Sequence, residues 1–333
     1  MEAFVLVVLI VLLGLAFDYT NGFHDAANVV ATVIATKALR PMVAIALAGV
    51  LNVVGATQTS GVAETIATGI VKVSSASSFS IIAAILGAIF WNLLTWYFGM
   101  PSSSSYALIG GLIGASWITN GLDSILWNGV IYKVAIPMVA SPIIGYVVAF
   151  SVMKVLIFLK KRKKFRDADR LFRHLQVGSA SIVALAHGLN DAQKSMGIIT
   201  LGLFATGFLT NQVVPYWVIF ACALVIGLGT ATGGMKIIRT VGFSITPLKP
   251  SQGFAAEASA SSVILSASFL GMPISSTHMI VGSVAGAGAA KNGADGISWD
   301  VVRKIILAWI ITLPGSALSS AFFYKTIDHF ISF

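Results

Sequence analysis

Two aspartates and two hydroxyl clusters stand in apolar sequence, and each has a counterpart about half a chain away. Asp25 lies in Gly22-Phe23-His24-Asp25-Ala26-Ala27 and Asp191 in Gly188-Leu189-Asn190-Asp191-Ala192-Gln193, an offset of 166 residues. Met100-Pro101-Ser102-Ser103-Ser104-Ser105 recurs as Met272-Pro273-Ile274-Ser275-Ser276-Thr277, an offset of 172 in a chain of 333. A carboxylate inside a bilayer is expensive and is rarely placed there without a partner or a water-filled path. Asn21 and Asn28 add side-chain oxygens beside Asp25, and Asn190 and Gln193 add them beside Asp191. Carboxylate and amide oxygens suit a hard cation, and a lone carboxylate can carry a proton instead. The competing use is capping of half-helices. Duplication at matching positions favours function.

Each hydroxyl cluster follows a proline and precedes an apolar, glycine-containing stretch. Serine and threonine at a helix start leave free backbone N–H groups, which with the hydroxyls form an anion site. The helix dipole adds roughly +0.5 charge at each such end. Plain N-capping is the commoner role of one such cluster. Two of them, at duplicated breaks, point to a tetrahedral oxyanion held from two sides. Lys194 lies three residues after Asp191, able to pair with it, to face an anion or to snorkel to the interface. Glu257 is the one charge in a long span and its first-half counterpart is Ile85, so it is a coupling candidate that breaks the symmetry; the end of the span is its bland reading. His24, His187 and His278 sit beside the motifs. For His187 and His278 a hydrogen bond that fixes a neighbouring carboxylate is the favoured use, and for His24 proton shuttling stays open. Asn52 and Asn92 serve equally well as helix–helix contacts or as ligands.

The elements that must position these groups are membrane spans. Hydrophobic residues make up 57% of the chain and charged residues 10%, against about 25% charged in soluble domains. Apolar stretches near the spanning length of about 20 residues occur at roughly 2–21, 42–60, 79–99, 134–159, 213–230, 251–271 and 305–324. The shorter motif segments 22–36, 106–120, 187–202 and 278–290 read as half-helices or hairpin arms. Broken backbone at membrane depth survives where protein or a water-filled cavity surrounds it. The net charge of +9 does not mark a nucleic-acid binder, because nine of the 21 Lys and Arg fall between Lys154 and Arg173. That run reads as a cytoplasmic loop, with anionic lipid binding as a weaker alternative. It separates a first repeat, 1–153, from a second, 176–333, with 154–175 as linker. The N-terminus lacks a basic n-region and cleavage site, so it reads as a retained first helix. The single Cys222 forms no internal disulfide. Basic residues alternate between corresponding loops of the two repeats, the pattern of inverted repeats. With the linker inside, both termini are expected outside. A cytoplasmic C-terminal tag, read by protease accessibility, would refute that.

Asn21-Gly22-Phe23-His24-Asp25-Ala26-Ala27-Asn28, Ala186-His187-Gly188-Leu189-Asn190-Asp191-Ala192-Gln193-Lys194 and Pro273-Ile274-Ser275-Ser276-Thr277-His278 resemble the signatures of the inorganic phosphate transporter (Pit) family. The resemblance covers both halves. It implies two inverted repeats carrying phosphate with a cation, with Asp25 and Asp191 in the duplicated signature for cation and phosphate, and Ser103, Ser104, Ser275, Ser276 and Thr277 on the phosphate hydroxyl positions. His24 replaces an asparagine of many members, Ser105-Tyr106 stands where the second copy has Thr277-His278, and Asn52 falls where some animal members carry a glutamate. The His24 form is similar to the bacterial Pit branch, associated with proton coupling and metal–phosphate carriage; other members use sodium.

The expectation is therefore an all-α polytopic membrane protein of the cell membrane, with two inverted-topology repeats whose broken helices and re-entrant hairpins meet at a midplane site. It would be a phosphate importer rather than an enzyme, driven by a proton more than by sodium, carrying phosphate free or as a metal complex, with no cofactor, no structural metal and no nucleic-acid partner. A homodimer is the candidate assembly. Ser103, Ser104, Ser105, Ser275, Ser276, Thr277 and Asn190 are assigned to phosphate. Asp25, Asp191, Asn21, Asn28, Gln193 and Glu257 are assigned to the coupling cation or proton, with His24, Lys194 and His278 as further candidates. A sulfate permease or a passive anion channel are the alternatives.

Overall fold

A chain this apolar must satisfy its backbone internally, and helices do so within one segment. The computed structural model describes residues 2–161 and 168–331. Its first half runs α1 (Glu2–Ala35), α2 (Pro41–Ala56), α3 (Gly61–Thr68), α4 (Ser78–Tyr97), α5 (Ser104–Asn120), the short α6 (Trp127–Val130) and α7 (Ile136–Lys161). The second half runs α8 (Ala168–Ala205), α9 (Tyr216–Thr232), α10 (Met235–Arg239), α11 (Pro250–Phe269), α12 (Ser276–Asn292) and α13 (Trp299–Ile331). The order repeats: α8 answers α1, α9 and α10 answer α2 and α3, α11 and α12 answer α4 and α5, and α13 answers α6 and α7. Among the described residues four helices are long and apolar enough to cross a membrane, or six if each bent pair counts as one span.

The breaks also repeat. The α2–α3 pair bends by 72° and its counterpart, α9 with the segment 235–244, by 63°. α5 and α12 are each 17 residues long, start on an N-cap serine and stop at a glycine with positive φ, Gly121 (75°) and Gly293 (77°). These are the half-helices expected at 106–120 and 278–290. The expectation for 22–36 and 187–202 is corrected: both segments continue the preceding span without a break, inside α1 and α8. No proline or glycine pair interrupts those stretches, and at 34 and 38 residues the two helices run about 50 Å and more. The linker range 154–175 is also largely helical, since α7 reaches Lys161 and α8 starts at Ala168. Its central residues 162–167 lie outside the described residues.

The halves interlock. α2 packs on α8 and α9 on α1; α5 packs on α13 and α12 on α7. Small residues permit this closeness, as in other helix pairs in lipid. A Cβ at Gly110 or Gly114 of α5 would overlap the carbonyls of Leu313 and Ala317 in α13. A Cβ at Gly282 or Gly286 of α12 would overlap those of Pro142 and Tyr146 in α7. Each half-helix is thus anchored by the last long helix of the other half, which brings the two Pro-Ser breaks into one interior.

Candidate functional site

The glycine of each Asp motif lets its neighbour in. A Cβ at Gly22 would overlap the Ile226 carbonyl of α9, and one at Gly188 would overlap the Asn52 carbonyl of α2. α1 and α8 also pack on each other, and their carboxylates meet. One ligand atom each from Asp25, His187 and Asp191 all lie within 4.8 Å of one another, and all three residues are buried. Both aspartates sit mid-helix, so neither caps a half-helix.

The hydroxyl clusters close on these carboxylates. Ser276 Oγ donates to Asp191 Oδ2 at 2.7 Å, and Thr277 Oγ1 donates to Asp25 Oδ1 at 3.5 Å. Asn28 Nδ2 reaches Thr277 Oγ1 at 2.9 Å and Ser276 Oγ at 3.3 Å. In the repeat Lys194 stands where Asn28 does, and Ser105 where Thr277 does; Lys194 Nζ donates to Ser105 Oγ at 2.5 Å. The same ammonium pairs with Asp191 and donates to the Ile274 carbonyl at 3.0 Å. A single buried cation thereby ties α8 to both breaks. This decides among the readings of Lys194: it pairs with Asp191 and does not snorkel. Ser103 and Ser275 take the capping role, accepting from the N–H of Tyr106 at 3.4 Å and of His278 at 3.2 Å. Ser104, the counterpart of Ser276, is buried and has no hydrogen-bond partner among the described residues.

His24 fixes the other carboxylate. Its Nδ1 lies 2.8 Å from Asp25 Oδ1, and its Nε2 lies 3.1 Å from Thr95 Oγ1 and 3.3 Å from Ser102 Oγ. His187 Nε2 lies 3.0 Å from Asp191 Oδ2, and its Nδ1 lies 3.1 Å from Asn52 Oδ1. Asn52 in turn donates to Thr230 Oγ1 at 2.7 Å, so it orients a site histidine and joins α2 to α9. His278 departs from the expectation. Its Nδ1 lies 3.2 Å from the Met138 carbonyl and its ring stacks on Trp309 at 3.9 Å, so it fixes α12 against α7 and α13 rather than a carboxylate. With Trp309 it lines an open, otherwise apolar cavity of about 470 Å³ that neither aspartate lines.

Two other expectations are moved by the geometry. Gln193 is turned away from the carboxylates. Its Oε1 accepts from the N–H of Val62 at 2.8 Å and of Ala63 at 3.2 Å, capping α3, while its Nε2 donates to Thr59 and Leu189. Asn190 donates to Ser268 Oγ at 2.7 Å and to the Met272 carbonyl at 3.3 Å, bracing the approach to the second break rather than joining its hydroxyls. Glu257 is fully buried in the middle of α11 and so does not mark a span end. Its carboxylate accepts from Thr32 (2.5 Å), Gln176 (3.0 Å) and Ser179 (2.5 Å). Thr32 is seven residues beyond Asp25 on α1, about 10 Å along the axis. Asn21 donates to the Asp191 carbonyl at 3.5 Å.

Sequence reasoning missed Asp18 and Ser195. Asp18 is fully buried and accepts from Ser195 Oγ at 2.6 Å. The signal was available, since Asp18 is a second acidic residue in the first apolar run. Buried polar atoms without a hydrogen-bond partner among the described residues include, on α1, α4 and α5, Asp18 Oδ2, Asn21 Oδ1, Asn28 Oδ1, both amide atoms of Asn92, and Ser104 Oγ; others lie on α7, α8, α11 and α12. Native proteins rarely leave such atoms unpaired unless a ligand or water uses them.

An interlocked helical membrane protein with paired carboxylates and paired hydroxyl breaks at its centre has the architecture of a secondary transporter. Residues 21–320 match the phosphate transporter family, and the chain belongs to it. It is 45% identical over 329 residues to a probable low-affinity inorganic phosphate transporter of Mycobacterium bovis, covering 98% of this chain and 78% of the relative. It is 42% identical over 327 residues to the Bacillus subtilis protein of the same description, covering 97% and 98%. Among solved structures it is similar to one described as the sodium-dependent phosphate transporter, with a TM-score of 0.87, 23% identity, and 97% and 99% of the two chains covered. That likeness bears on the fold.

Proposed function

We propose that this chain imports inorganic phosphate by symport with a cation, a proton in preference to sodium, around the Asp25–Asp191 centre. The observation that carries the reading is the direct contact between carboxylates and hydroxyl breaks: Ser276 on Asp191, and Thr277 on Asp25. An anion attracted to the helix starts of α5 and α12 would sit beside two carboxylates. Unit charges within 4.8 Å repel by about 3 kcal/mol at an effective dielectric of 20. Lys194 offsets one such charge, and a bound cation is needed to offset the other. Cation and phosphate therefore favour each other at this site, which is the thermodynamic content of symport.

Asp25, His187 and Asp191 offer two carboxylates and an imidazole, a donor set that suits a divalent metal. Phosphate travelling as its metal complex fits the same centre. Ser104, Ser105, Ser276 and Thr277 are assigned to phosphate, with Asn28 and Lys194 positioning them. Asp25 and Asp191 carry the coupling charge, and Glu257 is a relay on α11. Translocation would be a rocking of one half against the other, with the linker on the cytoplasmic side and both termini outside.

Reconstituted protein tests this under separately imposed proton and sodium gradients, with and without divalent metal. Phosphate accumulation driven by an inward proton gradient is expected, and sulfate should compete poorly with the uptake of labelled phosphate. Accumulation that responds to sodium alone would overturn the proton assignment, and gradient-independent flux would overturn symport.

A further inference from the structure

We propose that Asp18, Asn21 and Ser195 form a second site for one monovalent cation, proton or sodium, distinct from the Asp25–His187–Asp191 centre. The inference rests on the reading of this chain as a cation-driven phosphate carrier and adds a residue group to it. Asp18 is fully buried, and its Oδ1 accepts from Ser195 Oγ at 2.6 Å. Its Oδ2 has no partner among the described residues. Asn21, one turn further along α1 and 1% exposed, faces the same stretch of α8 through its bond to the Asp191 carbonyl, and its Oδ1 is likewise unpartnered. A carboxylate oxygen, an amide oxygen and a hydroxyl oxygen are thus left at the α1–α8 contact with one donor among them.

Among the described residues no cationic side chain touches Asp18. On α8 the groups nearby are Asp191, Lys194 and Ser195, and the Lys194 ammonium is engaged by Asp191, Ser105 and Ile274. α9 presents Cys222, buried and uncharged as a thiol. α2 carries no titratable side chain, and that of α4, Tyr97, sits exposed at the helix end. An ionised carboxylate so enclosed in a membrane protein requires a neutralising charge. A proton or a sodium ion supplies it, and three oxygens suit either.

The two halves differ here. With the 166-residue offset, Asp18, Asn21 and Ser195 correspond to Ala184, His187 and Val29. The oxygen cluster at the α1–α8 contact therefore has no repeat-related copy, whereas Asp25 and Asp191 are duplicated. One extra cation per cycle follows. Asp18 is seven residues from Asp25 on α1, about 10 Å along the axis, so its occupant acts on the centre through Asn21 and through Ser195, one turn beyond Asp191. Because α1 and α8 belong to opposite halves, the charge on Asp18 acts at the contact that rocking would disturb.

The test uses the full chain in proteoliposomes. For Asp18→Asn, phosphate counterflow without ion gradients should stay within about twofold of wild type, while uptake driven by whichever gradient drives wild type falls at least tenfold. Ser195→Ala should keep driven uptake but shift its half-maximal proton or sodium concentration severalfold. Wild-type driven uptake by Asp18→Asn would overturn the proposal. So would loss of counterflow by a monodisperse, inserted protein, which would place Asp18 in support of the phosphate site. A readout independent of phosphate separates this site from the transport reading. Wild type should show either the infrared C=O stretch of a protonated carboxylic acid (proton) or a sodium-dependent thermal shift (sodium), and Asp18→Asn should lose it; absence of both from wild type would also overturn the site.

Discussion

Lys194→Met is the most informative single change. The side chain is fully buried and its ammonium holds Asp191, Ser105 Oγ and the Ile274 carbonyl. Methionine fills much of the same volume, so packing is nearly conserved and charge is what is lost. Asp191 would then keep His187 and Ser276 but face Asp25, whose nearest ligand atom lies within 4.8 Å. Breaking a buried pair from one side costs about 3–5 kcal/mol; the unrelieved repulsion of the two carboxylates, about 3 kcal/mol at an effective dielectric of 20, accounts for much of this. Asp191→Asn removes the buried charge left without its ammonium, so the double variant Lys194→Met/Asp191→Asn should recover at least half of the loss. The assay is unfolding free energy in mild detergent for the two single variants and the double, with phosphate uptake measured in parallel. Uptake should be lost in all three, because the double restores stability without restoring the ammonium that holds Ser105 and the Ile274 carbonyl. Purely additive stabilities, or a cost for Lys194→Met below about 1 kcal/mol, would show that the ammonium does not neutralise this centre and would refute the reasoning.

Asp25→Asn should abolish phosphate uptake with the protein still inserted and monodisperse; normal uptake would remove Asp25 from the coupling centre. Gln193→Leu should cost about 1–3 kcal/mol by leaving the α3 N–H groups unpaired, with the KM for phosphate within twofold of wild type; a large KM change would return Gln193 to the binding site. Gly282→Leu should destabilise by at least about 3 kcal/mol, above the usual range for overpacking, because its Cβ meets the Pro142 carbonyl backbone; Gly178→Ala, which meets nothing within 4 Å, should be neutral or stabilising in the same thermal assay. Glu257→Gln should keep the fold and reduce gradient-driven uptake at least tenfold, and full driven uptake would reduce Glu257 to a structural contact.

Much of the site is legible in the order of its residues. Proline followed by serine, then an apolar run with glycine four apart, writes the break, the cap and the close-packed helix into a short stretch, and Ser103, Ser275, Gly282 and Gly286 behave accordingly. These are local or periodic properties. The unbroken passage of α1 and α8 through their motifs is harder to foresee, because a buried aspartate flanked by asparagines resembles a helix cap. What makes it a helix interior is Gly22 and Gly188 admitting α9 and α2, a contact with a partner far along the chain.

Composition and spacing are properties of the linear chain, and lipid leaves few backbone solutions. They suffice for the membrane environment, the duplication, and the residue types at the centre. Which of those residues act together is settled in three dimensions. Gln193 and His278 carry the same chemistry as their neighbours, yet one caps α3 and the other stacks on Trp309, while the unforeseen Asp18 finds Ser195 across 177 positions. The direction in which a side chain leaves its helix depends on rotation and on what the other half of the molecule brings against it, and no local pattern records that.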